Sequence, residues 1–238
     1  MMVGESTTAL FDADNYIAIN EARWTIADRA LKALRASGMT LETAYDFGAG
    51  PGWFAKRLKQ SNLDVLALEG REDVAEAGRQ RAPGCEFGVL DFDNCATSEA
   101  LPPRDFSLSF GILYHLENPL RALRMMGAMT GKVMLLETMV VPDADFIARV
   151  ARENPNETQG IQPLAMILSR AALARGMWAA GFGHVYRCTL PIDHDDFRDL
   201  ETRHPRRGLW LLSREAVSIE GFAPIEIEEP RRADYWRK

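Results

Sequence analysis

The chain has 238 residues and a mass of 26.6 kDa, enough for one α/β domain with a buried core and small for two. Its 47% apolar and 26% charged residues, with a mean hydropathy of -0.19, match an ordinary globular protein and not a disordered one. A net charge of -6 argues against nucleic acid as a main partner, because neutralising phosphates takes a concentrated Lys/Arg surface.

In chain order, the opening "MMVGESTTALFDADNY" lacks the basic and apolar regions of a signal peptide, so a cytoplasmic location is expected. "NEARWTIADRALKALRAS" has helical periodicity, with Ile26, Ala30, Leu31 and Leu34 on one face, and reads as a helix lying across the top of a sheet. From Thr43 onward, short β-branched runs alternate with amphipathic ones. "TAYDFGA", "LDVLALEG", "CEFGVLDF", "FSLSFGIL" and "GKVMLLETMV" read as strands, and "WFAKRLKQS", "EDVAEAGRQRA" and "PLRALRMMGAMT" as helices between them. This βαβα order predicts a parallel sheet covered on both faces. Residues 142–169 break the rhythm with Pro142, Pro155 and Pro163 and suit an inserted lid. Ser169 is a candidate N-cap for a helix to Ala180, and Gly181 its stop. "HVYRCTL" and "GLWLLSREAV" follow as an antiparallel edge hairpin. The expected whole is a doubly wound, Rossmann-like, mostly parallel seven-stranded sheet. Residues 1–42 form an N-terminal helical cap, and residues 43–238 a domain carrying the 142–169 lid.

In a doubly wound sheet the ligand sits beyond the carboxyl ends of the strands, closest to the first βα turn. That turn is Gly48-Ala49-Gly50-Pro51-Gly52. Dinucleotide binders use GxGxxG, but Trp53 stands where their third glycine would be, and Pro51 gives up a backbone N–H near the helix start. A nucleoside without phosphates fits this turn better than a pyrophosphate. Glu69, closing the second strand, is placed to accept from both ribose hydroxyls. Asp91, closing the third, is placed to read an adenine amine, with Phe92 beside it to stack on the ring.

Together these motifs resemble the class I S-adenosylmethionine-dependent methyltransferases, over Thr43 to Val217. "YDFGAGPG" is similar to the first motif of that family, "LALEG" to the acidic second, "VLDF" to the third and "FGILYHLENP" to the fourth with its "LYHL-NP" ending. "GKVMLLET" is similar to the fifth strand and "AAGFGHVYR" to the step into the hairpin. Pro51 and "MILS" depart from the commonest pattern. The resemblance implies S-adenosylmethionine as cofactor. Asp46, Gly48 and Gly50 would face its methionine part, Glu69 its ribose, and Asp91 with Phe92 its adenine. Gly52 and Gly111, in the first and fourth motifs, would complete the cofactor-facing set.

Methyl transfer from a sulfonium is an in-line displacement, so the protein must chiefly align the reactants and exclude water. Tyr114 and His115 end the fourth strand, and His115 is the candidate general base because an imidazole titrates near neutrality. Glu137, ending the fifth strand, points to the same rim. Tyr16, Asn20, Arg23 and Trp24 fall at approximate helical spacing and would cover the acceptor pocket, with Arg23 suited to clamp a carboxylate. Glu157 and Gln159 in the insert are further candidate contacts.

The remaining signals are weak. His184, His194 and His204 are scattered, and "DHDD" lacks a second ligand cluster, so no metal is expected. Cys85, Cys95 and Cys188 form no CxxC pair and no disulfide framework. The tail "EPRRADYWRK" is expected to pack or to contact a second copy in a homodimer. A small-molecule methyltransferase, with no membrane segment, is the leading expectation. Other alkyl transfer from the same cofactor (aminocarboxypropyl transfer, cyclisation) and a non-catalytic nucleoside-binding domain are the alternatives.

Overall fold

The computed structural model describes residues 9–94, 101–153, 160–161, 164–198 and 206–226. Cys95, Glu157, Gln159, His204 and the tail residues 229–238 lie outside them.

Among the described residues, five α-helices and ten strands follow one another. They are α1 (Asp14–Ala36), β1 (Thr43–Phe47), α2 (Trp53–Gln60), β2 (Asp64–Glu69), α3 (Glu72–Arg81), β3 (Glu86–Val89), β4 (Arg104–Phe110), α4 (Pro119–Ala128) and β5 (Thr130–Val140). After them come β6 (Ala148–Arg152), β7 (Leu164–Leu168), α5 (Arg170–Ala179), β8 (His184–Cys188), β9 (Arg206–Ser213) and β10 (Phe222–Pro224). The main sheet runs β10-β8-β9-β5-β4-β1-β2-β3. Strands β1 to β5 pair in parallel, whereas β9 pairs antiparallel with β5 and β8, and β10 antiparallel with β8. The order reverses between β1 and β4, which puts the switch point of a doubly wound sheet there.

Eight strands stand where seven are expected. The extra one, β10, covers the β8 edge with three residues and stops at Pro224, too short to register as a strand pattern. Strand β3 ends at Val89 instead of reaching Phe92, because Asp91 Oδ1 accepts from the Asp93 N–H at 2.9 Å and turns the chain.

The two-residue period of the strands sorts the core into two layers. Ala44, Phe106, Leu108, Val133 and Leu135 face α1 and α2, packing with Ile26, Leu31, Leu34, Phe54 and Leu58. Tyr45, Phe47, Met134 and Leu136 face α4 and α5, packing with Leu123, Met126, Leu173 and Met177. Helix α1 starts at Asp14, ahead of the expected Asn20, and buries Ala27, Ala30, Leu31 and Leu34 on the sheet face. It therefore covers a face; only its first half reaches the carboxyl rim. Asn118 caps α4, accepting from the Arg121 N–H at 3.1 Å with Pro119 in the first turn. Ser169 caps α5 in the same way, accepting from the Ala172 N–H at 3.1 Å.

Within the 142–169 stretch, β6 and β7 form a separate two-stranded antiparallel ribbon. Tyr114 and Val141 pack with Ala165 and Ile167 of β7, which fixes the ribbon beside the end of β4.

Candidate active site

The turn after β1 supplies the floor of the site. Gly48, Gly50 and Gly52 have φ of +68°, +53° and +84°, a region costly for residues with a Cβ. A Cβ at Gly48 would stand 2.7 Å from the Ile112 Cβ, and one at Gly50 3.1 Å from the Phe11 ring. The amides of this turn are occupied from within. Gly48 and Ala49 donate to the Leu68 carbonyl at 2.8 and 3.1 Å, Gly52 to the Ala49 carbonyl at 3.0 Å, and Gly50 to Glu69 Oε2 at 2.9 Å. Glu69 is 8% exposed, and its Oε1 accepts from the Arg71 N–H at 3.1 Å. Those two bonds leave the carboxylate with unused acceptor sites at the rim.

Above this floor lies a cleft of about 1010 Å³, counting its open mouth, along the carboxyl ends of β1, β2, β3 and β4. Gly48, Gly50 and Glu69 line one side, and Asp91 and Phe92 the next. Gly111, Tyr114 and His115 close the far end, and Tyr16 and Arg23 descend from α1. Of the remaining residues expected at the site, Gly52 turns into the protein, where a Cβ would stand 2.8 Å from the Phe87 ring. Phe92 is almost fully buried and meets Phe47 edge-on at 5.6 Å, so only part of its ring borders the cleft. Asp91 also accepts from Asn94 Nδ2 at 2.6 Å.

Trp24 is away from the cleft. It packs against the α1 layer of the core, with the Arg57 guanidinium 5.9 Å from its ring. At about 100° per residue, position 23 returns to within roughly 20° of Tyr16, whereas position 24 has turned roughly 80° away. Approximate spacing hid that difference.

Asp46 lies beneath the turn at 1% exposure, and its Oδ2 has no hydrogen-bond partner among the described residues. Burial pushes its carboxyl up to about 8; the charge of Glu69 adds to this and the Ala55 backbone amide opposes it. Tyr16 is likewise raised, to about 12, by burial, against the pull of Arg23 and Asn20.

Glu137 does not line the cleft. It is fully buried on the α1 side of β5, where the strand period places it after Val133 and Leu135. Two guanidiniums meet it: Arg23 Nη2 at 2.7 Å from Oε2, and Arg207 Nη1 at 3.1 Å from Oε1. Arg23 also donates to Asn20 Oδ1 at 2.8 Å. Arg207 donates from Nη2 to the Tyr114 hydroxyl at 2.9 Å and from Nε to Asp196 Oδ2 at 3.0 Å. Burial opposes the charge on Arg207, but Tyr114 and Glu137 hold its pKa above the ordinary arginine value. His115 Nδ1 lies 2.5 Å from Glu153 Oε1, and its ring centroid is 4.1 Å from that of Tyr114.

Sequence reasoning missed four cleft residues or partners. Arg207 is the second residue of β9 and Glu153 follows β6; Phe11 leans on the turn; Ile161 lies against Gly70, where a Cβ would be 2.8 Å from it. Nothing local marks them. In "DHDD", His194 Nδ1 accepts from the Asp196 N–H at 3.2 Å and Asp195 pairs with Arg198 at 2.9 Å. Among the described residues, no group of three or more His, Cys, Asp or Glu is arranged to hold a metal, and no helix is long and apolar enough to cross a membrane. Among the described residues Cys85 and Cys188 are free thiols, both with pKa pushed up by burial.

The fold is that of a doubly wound α/β protein with a cleft at its switch point. No protein-family model and no curated protein matches the chain in sequence. In structure, it is similar to the N-terminal domain of EvdMO1 with SAH and D-fucose, at 19% identity and a TM-score of 0.64 over 84% of each chain. It is also similar to Streptomyces venezuelae DesVI, at 15% identity and a TM-score of 0.60 over 90% of this chain and all of that one. A third similar structure is SAM-bound CalS10, an amino pentose methyltransferase from Micromonospora echinaspora. There the identity is 17% and the TM-score 0.58, over 90% of this chain and 99% of that one. The chain shares the Rossmann-like fold of these proteins.

Proposed function

We propose that the chain is a methyltransferase that uses S-adenosylmethionine to alkylate a small molecule. One observation carries this reading: every amide donor of the turn from Gly48 to Gly52 is already engaged, and Gly50 holds the very carboxylate that ends β2. A pyrophosphate needs such amides free. An adenosine needs what remains, a bare backbone trough and an anchored carboxylate with spare acceptor sites. The similar structures that carry SAH or SAM agree with it.

The residues present fit that cofactor. Glu69 would hold the ribose hydroxyls, and Asp91 with the edge of Phe92 the adenine. The unpartnered Asp46 oxygen would meet the ammonium of the methionine part, and Arg23 its carboxylate. Bound there, the cofactor supplies an electrophilic methyl on a sulfonium. The chain's contribution is to align an acceptor with it and keep water out, which supplies on the order of 7–11 kcal/mol. Tyr114 and His115 would touch the acceptor. Glu137, reached only through Arg23 and Arg207, acts as a positioning residue. Helix α1 and the arm at 142–169 would form the acceptor pocket.

Calorimetric titration with S-adenosylmethionine, S-adenosylhomocysteine and NADH tests the reading. Binding of the first two without NADH is expected; tight NADH binding without the others overturns it.

A further inference from the structure

We infer that Glu153 fixes His115 as the base for a neutral hydroxyl acceptor, so that the chain is an O-methyltransferase. The inference rests on the methyltransferase reading above and narrows its substrate class.

The first observation is the pair itself. His115 Nδ1 and Glu153 Oε1 are 2.5 Å apart, and their side chains are only 12% and 11% exposed. A carboxylate accepts, so the proton between them sits on Nδ1, and the other ring nitrogen, Nε2, is left with a lone pair. His115 lines the cleft beside Tyr114. The site thus holds an oriented proton acceptor, supplied by two separate segments: the turn after β4 and the residue after β6. A carboxylate acceptor would have no proton to give it. An alcohol or phenol would.

The second observation is the charge around it. Arg23 and Arg207 both border the cleft and converge on the single buried carboxylate of Glu137. Guanidiniums in the wall disfavour an ammonium acceptor and favour an oxygen that gains negative charge as it loses its proton. Tyr114 adds to this. Its oxygen already accepts from Arg207 Nη2 at 2.9 Å, so its own O–H is free to donate to the acceptor oxygen.

The step balances. As the acceptor oxygen attacks the methyl carbon, its proton passes to His115 Nε2, the new O–C bond forms and the C–S bond breaks with its electron pair staying on sulfur. The sulfonium becomes a neutral thioether, and the one positive charge ends on the imidazolium, against Glu153. The proton then leaves to solvent.

The test supplies methyl-labelled S-adenosylmethionine with D-fucose and catechol as hydroxyl probes, benzylamine as the amine and benzoate as the carboxylate. Label is expected on a hydroxyl probe, and which of the two accepts it separates a sugar-shaped from a phenol-shaped pocket. Glu153→Gln should lower kcat on the accepted probe about 100-fold, the lower end of what acid–base catalysis contributes. Its affinity for S-adenosylmethionine should be unchanged, and Glu153→Asp should recover part of the rate. 4-Nitrocatechol has already lost at pH 8 the proton of the hydroxyl para to its nitro group, so methylation at that oxygen leaves a base no proton to remove. The phenol arm therefore predicts that Glu153→Gln turns it over within about threefold of the parent enzyme, since a base contributes only where a proton is transferred. His115→Gln gives an independent variant should the first misfold by circular dichroism. Label on the amine or the carboxylate alone, no label on either hydroxyl, or an equal loss with catechol and 4-nitrocatechol overturns the inference. A folded protein that binds no S-adenosylmethionine overturns the methyltransferase reading instead.

Discussion

Asp46→Asn tests the claim that the fold seats a carboxyl group where it resists ionisation. Asp46 is buried beneath the glycine turn, and its carboxyl titrates at about 8 where 3.8 is ordinary. Each pH unit of that gap corresponds to about 1.4 kcal/mol, so ionising the group in place costs on the order of 6 kcal/mol. Because the folded value is the higher one, the folded chain holds the extra proton between pH 4 and 8. Stability should therefore fall as pH rises through that window and level off above it. Asparagine is uncharged throughout. Near pH 5 the variant should match the parent or lose about 1–2 kcal/mol, since its amide brings a donor to a place that wants an acceptor. Near pH 9 it should be the more stable by several kcal/mol. Urea unfolding of both proteins at one-unit steps from pH 5 to 9, compared through their difference, cancels every other titrating group. Parallel curves would refute the reasoning.

Other consequences follow from the same geometry. If the methionine ammonium meets Asp46, binding of S-adenosylmethionine near pH 7 should release a proton, seen as a calorimetric heat that varies with the ionisation enthalpy of the buffer. Glu69→Ala removes both the ribose acceptor and the Gly50 anchor, so affinity for S-adenosylmethionine should fall by at least about 100-fold, at 1.4 kcal/mol for each factor of ten; unchanged affinity in a folded variant would mean that the ribose lies elsewhere. Arg207→Leu strips one guanidinium from the buried Glu137 and should cost about 3–5 kcal/mol in urea unfolding. Trp24→Ala should lower stability through lost packing while the affinity for S-adenosylmethionine, read by calorimetry, stays within twofold of the parent.

The sheet was readable because its strands are short apolar runs separated by helices of a different period, and β1 to β5 follow that pattern closely. Where length or polarity weakens the pattern, the sequence carries no strand signal. Strand β10 has three residues, and β6, "ARVAR", alternates alanine, arginine and valine without a buried face long enough to announce itself. The site divides in the same way. Residues carried on one turn, such as Gly48, Gly50 and Tyr114, can be found from local spacing. Arg207 and Glu153 cannot, because each has its role only through a partner far along the chain: Glu137 is 70 positions from Arg207, and His115 is 38 from Glu153.

Glu137 shows why the distant residues belong together. The two-residue period of β5 sends Val133 and Leu135 into the α1 layer, and the same period sends Glu137 there, where a bare carboxylate would be costly. The fold answers from two sides. Arg23 comes from the first half of α1, the half that leaves the sheet face for the rim, and Arg207 comes from the start of β9, whose antiparallel pairing with β5 places it at that rim. Neither arginine stops at neutralising Glu137: Arg23 borders the cleft at Gly111, and Arg207 holds the Tyr114 hydroxyl. A carboxylate placed by strand periodicity thus ties α1, β4 and β9 into one charged wall, and a change at Glu137 should be felt at the cleft although Glu137 itself never reaches it.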